Sequence, residues 1–158
     1  MMEKSSPEKR TKATRSGARR CALQALYQWQ VTGFSPAQIE RQFLEEMADG
    51  GARLPYFAEI LHGVTDHCEA IDAALGRFTD RPVAEIDPIE RAILRVGAYE
   101  LLYRREVPYR AVLNEAINLG KAFGGTHKSY KYVNGVLDKL AHEVRAEEVA
   151  AARRQKLA

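Results

Sequence analysis

The chain has 158 residues, of which 46% are hydrophobic and 28% are charged, values typical of an ordinary globular domain and not of a disordered chain. No apolar run is long enough for a membrane span or a secretory signal, and the two cysteines, Cys21 and Cys68, form no paired framework. We therefore expect a cytoplasmic protein without disulfides or a membrane segment.

The net charge of +3 is unevenly distributed along the chain. Residues 1–20 contain seven Lys or Arg and two Glu, so this segment carries +5 and the remainder carries −2. Such a basic block is typical of a nucleic-acid-binding arm, and a solvated tail is about as frequent. We predict a flexible basic arm at 1–14, a helical domain at 15–145 and a charged C-terminal tail at 146–158.

In the first half of the chain, helical spacing of apolar residues follows the basic segment, and no segment has the alternation of a half-buried strand. The first helix is predicted from Ser16 to Thr32. Ser35 and Pro36 then begin a short second helix, as N-cap and first helical residue. From Pro55 to Phe78 the spacing predicts one long helix, or two nearly collinear helices with a joint near Gly63.

The second half begins with the best-defined helix start in the sequence. In "DPIE", Asp87 is suited to be the N-cap, Pro88 the first helical residue, and Glu90 the reciprocal member of a capping box. This central helix ends before Pro108, a further helix follows, and the last helix is predicted from about Tyr130 to Glu148. Six or seven helices with short connections predict an all-α, compact single domain.

Catalytic and metal-binding motifs are missing from this sequence. It contains no HExxH, P-loop or GxSxG motif, and His62 and His67 are five residues apart, which places them on different sides of a helix. The carboxylates lie on predicted polar helix faces, where ion pairs explain them. We expect no enzyme, no metal site and no cofactor.

Two features do suggest binding. The first is the arginine-rich start of the first helix, where Arg15 and Arg19 are four residues apart on one face and Arg20 lies beside them. These arginines are candidates for phosphate contacts, and a solvated helix start is an equally good interpretation.

The second feature is "KSYKY", at the start of the last helix. Tyr130 and Tyr132 are separated by Lys131, so they cannot both face the core, and Lys128 adds a further cation. An exposed tyrosine among lysines is a surface on which an unpaired base stacks while the ammonium groups neutralise phosphate. The alternative is a tyrosine that only packs at the edge of the bundle.

Four segments together resemble the NusB family of bacterial transcription antitermination factors: "CALQALYQWQ" (21–30), "IERAILRVGAYEL" (89–101), "VPYRAVLNEAINLGKAFG" (107–124) and "KYVNGVLDK" (131–139). The resemblance implies an all-helical fold of two packed helical bundles in one domain. It also implies a protein that acts without catalysis, by pairing with the ribosomal protein NusE and binding boxA RNA. Together with RNA polymerase and other Nus factors, the pair would promote read-through of ribosomal RNA operons; homodimerisation is left open.

The resemblance also assigns roles to individual positions. RNA binding is expected of Lys12, Arg15, Arg19, Arg20, Tyr27, Lys128, Lys131 and Tyr132. NusE binding is expected of Phe78 and Glu90. Two positions depart from the family pattern, because Tyr132 replaces the usual phenylalanine and Lys128 falls where an acidic residue is found, in a loop (124–130) that is one residue longer.

Two alternative functions are weighed against this one. A similar helical domain precedes the catalytic domain of certain ribosomal RNA cytosine methyltransferases, but only a charged tail follows residue 142, which is too short for a methyl-donor domain. The other alternative is a helical module that binds proteins only. The salt dependence of RNA binding would separate it from an RNA-binding protein.

Overall fold

The regular structure of this chain is helical wherever the structure describes it. A computed structural model describes residues 7–46, 50–124 and 128–157, with side chains from Arg15 onward. The α-helices in these ranges are α1 (Pro7–Thr32), α2 (Pro36–Glu46), α3 (Pro55–Asp66), α4 (Cys68–Gly76), α5 (Pro88–Tyr103), α6 (Tyr109–Phe123), α7 (Ser129–Val144) and α8 (Ala146–Leu157). The all-α prediction is confirmed, with eight α-helices over the described residues instead of six or seven. None of these helices combines the length and the apolarity that crossing a membrane requires.

The chain divides into two compact units between Thr65 and Asp66. The first unit contains α1, α2, a 3₁₀ helix at Gly51–Arg53 and nearly all of α3, and the second contains α4 to α8 with a 3₁₀ helix at Val83–Glu85. Both units are helical, in agreement with the two bundles that the family resemblance implies.

The core of the first unit forms where α2 and α3 bring aromatic residues together. Phe43 of α2 and Phe57 of α3 stack with their ring centroids 5.8 Å apart. Ile39, one turn before Phe43, and Ile60, one turn after Phe57, are fully buried. The start of α2 is fixed by a capping box, because Ser35 Oγ accepts from the Gln38 amide (3.2 Å) and the Gln38 side chain accepts from the Ser35 amide (3.1 Å). The predicted N-cap is confirmed.

Two predicted helix boundaries in this half of the chain were wrong. Helix α1 begins at Pro7, nine residues before the predicted Ser16, because a polar stretch of good helix formers carries no apolar periodicity to reveal it. The 55–78 segment is two helices, but the chain departs from helical geometry at His67 (φ −111°, ψ 22°) and not at Gly63.

Helix α5 is the centre of the second unit, with every residue from Ala92 to Leu101 buried. Its N-cap is Asp87, whose carboxylate accepts from the amides of Ile89 (3.0 Å) and Glu90 (3.3 Å), as predicted. The predicted capping box was wrong, because the Glu90 carboxylate accepts from the Ser129 hydroxyl instead of from the Asp87 amide. Arg95 of α5 donates twice to Asp72 of α4, at 3.0 and 2.7 Å, so the buried guanidinium has its charge partner.

The predicted last helix is divided at Arg145, a buried residue between α7 and α8 that is only 3% exposed. Its guanidinium donates to four backbone carbonyls at the end of α5 and in the connection that follows, at 2.7–3.0 Å: those of Glu100, Leu101, Arg104 and Val107. The carbonyl of Leu101 lies in the last turn of α5, where carbonyls lack intrahelical partners, and those of Glu100 and Arg104 also accept from the amides of Arg104 and Val107, both at 3.0 Å. The sequence pattern did not reveal this break, because it depends on a contact across more than 35 residues.

Glu148 of α8 completes this junction. Its carboxylate accepts from the backbone amide of Tyr109, the first residue of α6, at 2.6 Å, and it also pairs with Arg145 at 2.8 Å. A cation thus lies at the C-terminus of α5 and an anion at the N-terminus of α6, as the helix dipoles favour. The charged C-terminal stretch therefore forms a helix, α8, that belongs to the second unit.

Candidate nucleic-acid interface

In the first unit, two of the predicted RNA-binding arginines lie against the same aromatic ring. The guanidinium carbons of Arg15 and Arg19 lie 4.8 and 5.7 Å from the ring centroid of Tyr56. Arg15 is half-buried and Arg19 is 3% exposed. Such cation–aromatic contacts stabilise the packing of α1 on α3.

This burial corrects what the sequence suggested for Arg19. The spacing of Arg15 and Arg19 places them on one face of α1, but that face turns toward Tyr56. A guanidinium with 3% exposure has little surface to offer a phosphate. Arg19 is therefore better explained as part of the packing than as a direct RNA contact.

Exposed groups on α1 lie on another side of the helix. Arg20 is exposed, and Tyr27 is 41% exposed. They are seven residues apart, which is two helical turns, so both lie on one face about 10 Å apart along the axis. Lys12 lies on α1 as well, but its side chain falls outside the described part of the chain.

In the second unit, Tyr132 lies at the start of α7 and is held in place by the connector between α4 and α5. Its hydroxyl donates to Asp80 Oδ1 at 2.9 Å, and the guanidinium carbon of Arg81 lies 5.8 Å from its ring centroid. Arg81 in turn donates through Nε and Nη2 to the two carboxylate oxygens of Asp80, both at 3.0 Å. We call these three residues the Asp80 cluster.

The Asp80 cluster also changes the protonation behaviour of its members. Hydrogen bonds from Arg81 and Tyr132 hold the pKa of the Asp80 carboxyl below its usual value, so it stays ionised at neutral pH. The pKa of the Tyr132 phenol is raised mainly by partial burial and also by the hydrogen bond to Asp80, so the phenol stays neutral at pH 7. The cluster is thus an anion and a cation beside a neutral aromatic ring.

The lysines around Tyr132 are exposed to solvent. Lys128 and Lys131 are exposed, whereas Ser129 and Val133 are buried, so the basic side chains lie on the outer side of the first turn of α7. Tyr130 is half-buried, with the Lys121 ammonium 5.2 Å from its ring centroid. Neither Tyr130 nor Tyr132 is fully buried. Residues 125–127 of the loop at 124–130 lie outside the described ranges.

Glu90 and Phe78, the residues predicted to bind a protein partner, are both half-buried in the second unit. The Ser129 hydroxyl donates to Glu90 Oε1 at 2.8 Å, so the Glu90 side chain joins the start of α5 to the start of α7. Phe78 lies just after α4, with the guanidinium carbon of Arg77 at 6.0 Å from its ring centroid. Both residues thus keep part of their surface available to a partner.

The sequence reasoning missed Asp80 and Arg81. Both lie in the connector "TDRPVAEIDP", where an Asp followed by an Arg and a Pro reads as an ordinary solvated turn. The sequence signal for them was the hydroxyl of Tyr132, because a partly buried phenol needs a hydrogen-bond partner. Over the described residues, no group of three His, Cys, Asp or Glu is placed to hold a metal ion.

Comparisons with known proteins agree with this architecture. The family model named NusB family matches residues 16–142. The transcription antitermination protein NusB of Chromohalobacter salexigens is 51% identical over 154 aligned residues, which cover 89% of this chain and 92% of that protein.

Solved structures give the same result at lower identity. NusB of T. maritima is 28% identical with a TM-score of 0.75, over 86% of this chain and 96% of that one. A crystal structure of antitermination factors NusB and NusE in complex with dsRNA contains a chain that is 26% identical with a TM-score of 0.72, over 81% of this chain and 96% of that one. With most of its length matched in sequence and in fold, this chain belongs to the NusB family.

Proposed function

We propose that this protein is a transcription antitermination factor that binds boxA RNA together with NusE and promotes read-through of ribosomal RNA operons. The observation that carries the proposal is the family relationship, since a relative matched over 89% of this chain is a transcription antitermination protein. Its function is binding, not enzymatic catalysis. It would work in the cytoplasm with RNA polymerase and other Nus factors.

The surface around Tyr132 supports RNA binding by the second unit. The ring is only partly buried, and it lies beside the exposed cations Arg81, Lys128 and Lys131. Stacking of a base on such a ring contributes about 1–3 kcal/mol, and each cation can neutralise a phosphate. Because Lys128 and Lys131 leave the first turn of α7 on its solvent side, both can reach a strand that stacks there.

In the first unit, the proposal rests on Arg20, Tyr27 and Arg15. Arg20 and Tyr27 are both exposed and lie on one face of α1, where they offer a cation and an aromatic ring two helical turns apart. Arg15 keeps part of its surface exposed while it contacts Tyr56. Arg19 then acts as a support for Arg15 through their shared ring, and Lys12 adds charge to the same helix.

NusE binding is assigned to Glu90 and Phe78. Glu90 combines a carboxylate with a fixed position, because its bond to Ser129 restrains the side chain before any partner arrives. Phe78 supplies apolar surface at the end of α4. We expect Glu90→Gln to weaken pairing with NusE while the bond to Ser129 persists, which separates partner binding from folding.

The test is a titration of fluorescently labelled RNA at two salt concentrations. The ligands are single-stranded boxA RNA, a scrambled strand of the same composition, and boxA paired with its complement, because one structural relative was crystallised with double-stranded RNA. Each is measured with the purified protein and again with NusE added. Preference for boxA that increases with NusE supports the proposal.

Equal affinity for boxA and the scrambled strand, unchanged by NusE, would contradict it. The salt dependence then gives the number of phosphates neutralised, since log K falls by about 0.7 per phosphate for each unit of log salt with single strands. Light scattering at the same concentrations shows whether the free protein is a monomer or a homodimer.

A further inference from the structure

The guanidinium of Arg81 is held in place and still has donors to offer. A guanidinium carries five N–H groups, and Asp80 accepts from two of them. Within the described parts of the chain, the other three meet no acceptor, and the side chain is 48% exposed. Arg81 therefore combines a fixed orientation with donors directed to solvent, which is the arrangement that suits a phosphate.

The position of Arg81 also determines how Tyr132 is presented. With the guanidinium over one face of the ring, a base has only the opposite face on which to stack. The bond from the hydroxyl to Asp80 restrains rotation of the ring. Less conformational entropy is then lost when a base binds, because the ring is already oriented by the fold.

We infer that Arg81 binds an RNA phosphate beside the base that stacks on the open face of Tyr132, and that Asp80 is the positioning residue that holds both side chains. This inference rests on the proposed RNA-binding function. It adds a phosphate contact from the α4–α5 connector to the cations of α7. It also explains why a tyrosine, and not a phenylalanine, is useful at position 132 in a chain with an aspartate at position 80.

The phosphate contact is tested by comparing Arg81→Ala with Arg77→Ala. Arg77 is a matched control, because it is 53% exposed, pairs with Glu143 at 2.9 Å and lies near an aromatic ring, yet it is outside the Asp80 cluster. Both changes remove one positive charge. We expect Arg81→Ala to reduce the slope of log K against log salt for boxA RNA by about 0.7, and Arg77→Ala to change it by much less. Equal changes in the two variants would overturn the inference.

The role of Asp80 is tested by the sign of its effect on affinity. Asp80→Ala removes a negative charge near the RNA, so simple electrostatics predicts tighter binding. Positioning predicts weaker binding, and we expect a loss of several-fold that Asp80→Asn partly restores, because an amide oxygen can still accept from Tyr132. Tighter binding by Asp80→Ala would show that Asp80 only repels RNA, and would overturn its positioning role.

A measurement on the free protein gives independent evidence. The Tyr132 phenol is followed by NMR of ¹³Cζ-labelled tyrosine, with the signal identified by its loss in Tyr132→Phe. We expect Asp80→Ala to lower the pKa of Tyr132 toward its ordinary value, because a hydrogen bond that raises it is gone. An unchanged pKa would show that the hydroxyl is not held by Asp80.

These experiments also separate the failure of the inference from the failure of the proposed function. If Tyr132→Ala leaves boxA binding unchanged, the α7 surface does not bind RNA and the proposed site is wrong. If Tyr132→Ala weakens binding while Arg81→Ala and Arg77→Ala behave alike, the site stands and only the role of Arg81 is wrong.

Discussion

Two cation–aromatic groups in this protein differ in burial. On α1, Arg15 and Arg19 lie over Tyr56, which is itself only 8% exposed, and Arg19 is 3% exposed. At the start of α7, Tyr132 keeps part of its ring exposed, and Lys131 beside it points to solvent. The first group stabilises a helix pair, and the second has surface left for a ligand.

This difference has a physical cause. A guanidinium stacks well on a buried ring because it is planar and weakly hydrated, so it can be buried at lower cost than an ammonium group. Lysine ammonium groups are strongly hydrated and stay in solvent. Arg15 and Arg19 on α1 and Lys128 and Lys131 on α7 follow that rule. Arg81 lies over Tyr132 and is still 48% exposed, so the burial of the ring and its cation, and not the kind of cation alone, separates packing from binding.

The largest expected effect concerns Arg145, a buried cation that donates to four backbone carbonyls and one carboxylate. Arg145→Ala removes the guanidinium that donates to the carbonyls of Glu100, Leu101, Arg104 and Val107 and pairs with Glu148. Glu100, Arg104 and Glu148 each keep one backbone amide donor, whereas Leu101 and Val107 lose the bond that Arg145 makes to them. We expect a loss of about 3–5 kcal/mol in the free energy of unfolding, measured by urea denaturation. Arg154→Ala, an exposed change on α8, should stay within about 0.5 kcal/mol. If Arg145→Ala also lowered the free energy of unfolding by no more than about 0.5 kcal/mol, the bonds of Arg145 would not stabilise the fold as expected.

Next, Arg19 and its neighbour Arg20 separate packing from binding on α1. We expect Arg19→Ala to lower stability by about 1–3 kcal/mol, because it removes a buried side chain and its contact with the Tyr56 ring. Arg20→Ala should be nearly neutral for stability and should reduce the salt slope for RNA by about 0.7.

The opposite results for Arg19→Ala and Arg20→Ala would contradict the assignment of Arg19 to packing and Arg20 to RNA binding. A stable Arg19→Ala protein with a reduced salt slope would mean that Arg19 leaves Tyr56 to bind phosphate. Arg19→Lys is the informative third variant, because it retains the charge while losing the planar stack on Tyr56.

Tyr132 gives the corresponding test on α7. Tyr132→Ala should weaken boxA binding by about 1–3 kcal/mol with little change in the salt slope, because stacking neutralises no phosphate. Tyr132→Phe keeps the stacking face and should lose much less. If Tyr132→Phe costs as much as Tyr132→Ala, the hydroxyl and not the ring is responsible.

The smallest effect is the pH dependence of the Asp80 cluster. The folded-state pKa of Asp80 is below its ordinary 3.8, so its stabilisation is complete above about 3.8 and is lost as the pH falls through the folded-state value. The pKa of Tyr132 is above its ordinary 10.0, so that contribution is complete below about 10.0 and is lost as the pH rises. The Tyr132 NMR signal should therefore be constant between these limits. Asp80→Asn should remove the acidic change and shift the alkaline change to lower pH, because the carboxylate charge that raises the pKa of Tyr132 is gone.

Local signals in the sequence predicted much of the fold. The caps at Ser35 and Asp87 were correct, because a cap depends on residues two or three positions away. The start of α1 was wrong, because its first residues have no apolar pattern, and the break at Arg145 was missed, because its cause lies in α5. The all-α class followed from periodicity alone.

By itself, the sequence determined the helical class, the capped helix starts, the basic first helix and the tyrosine–lysine edge of α7, because spacing along the chain encodes each of them. Only the tertiary structure decided that Arg19 is buried against Tyr56, and that Asp80 and Arg81 reach Tyr132 across about fifty residues. Burial and distant hydrogen bonds depend on which helices pack together. That packing, and not the local pattern, separates cations that hold the fold from cations that can bind a ligand.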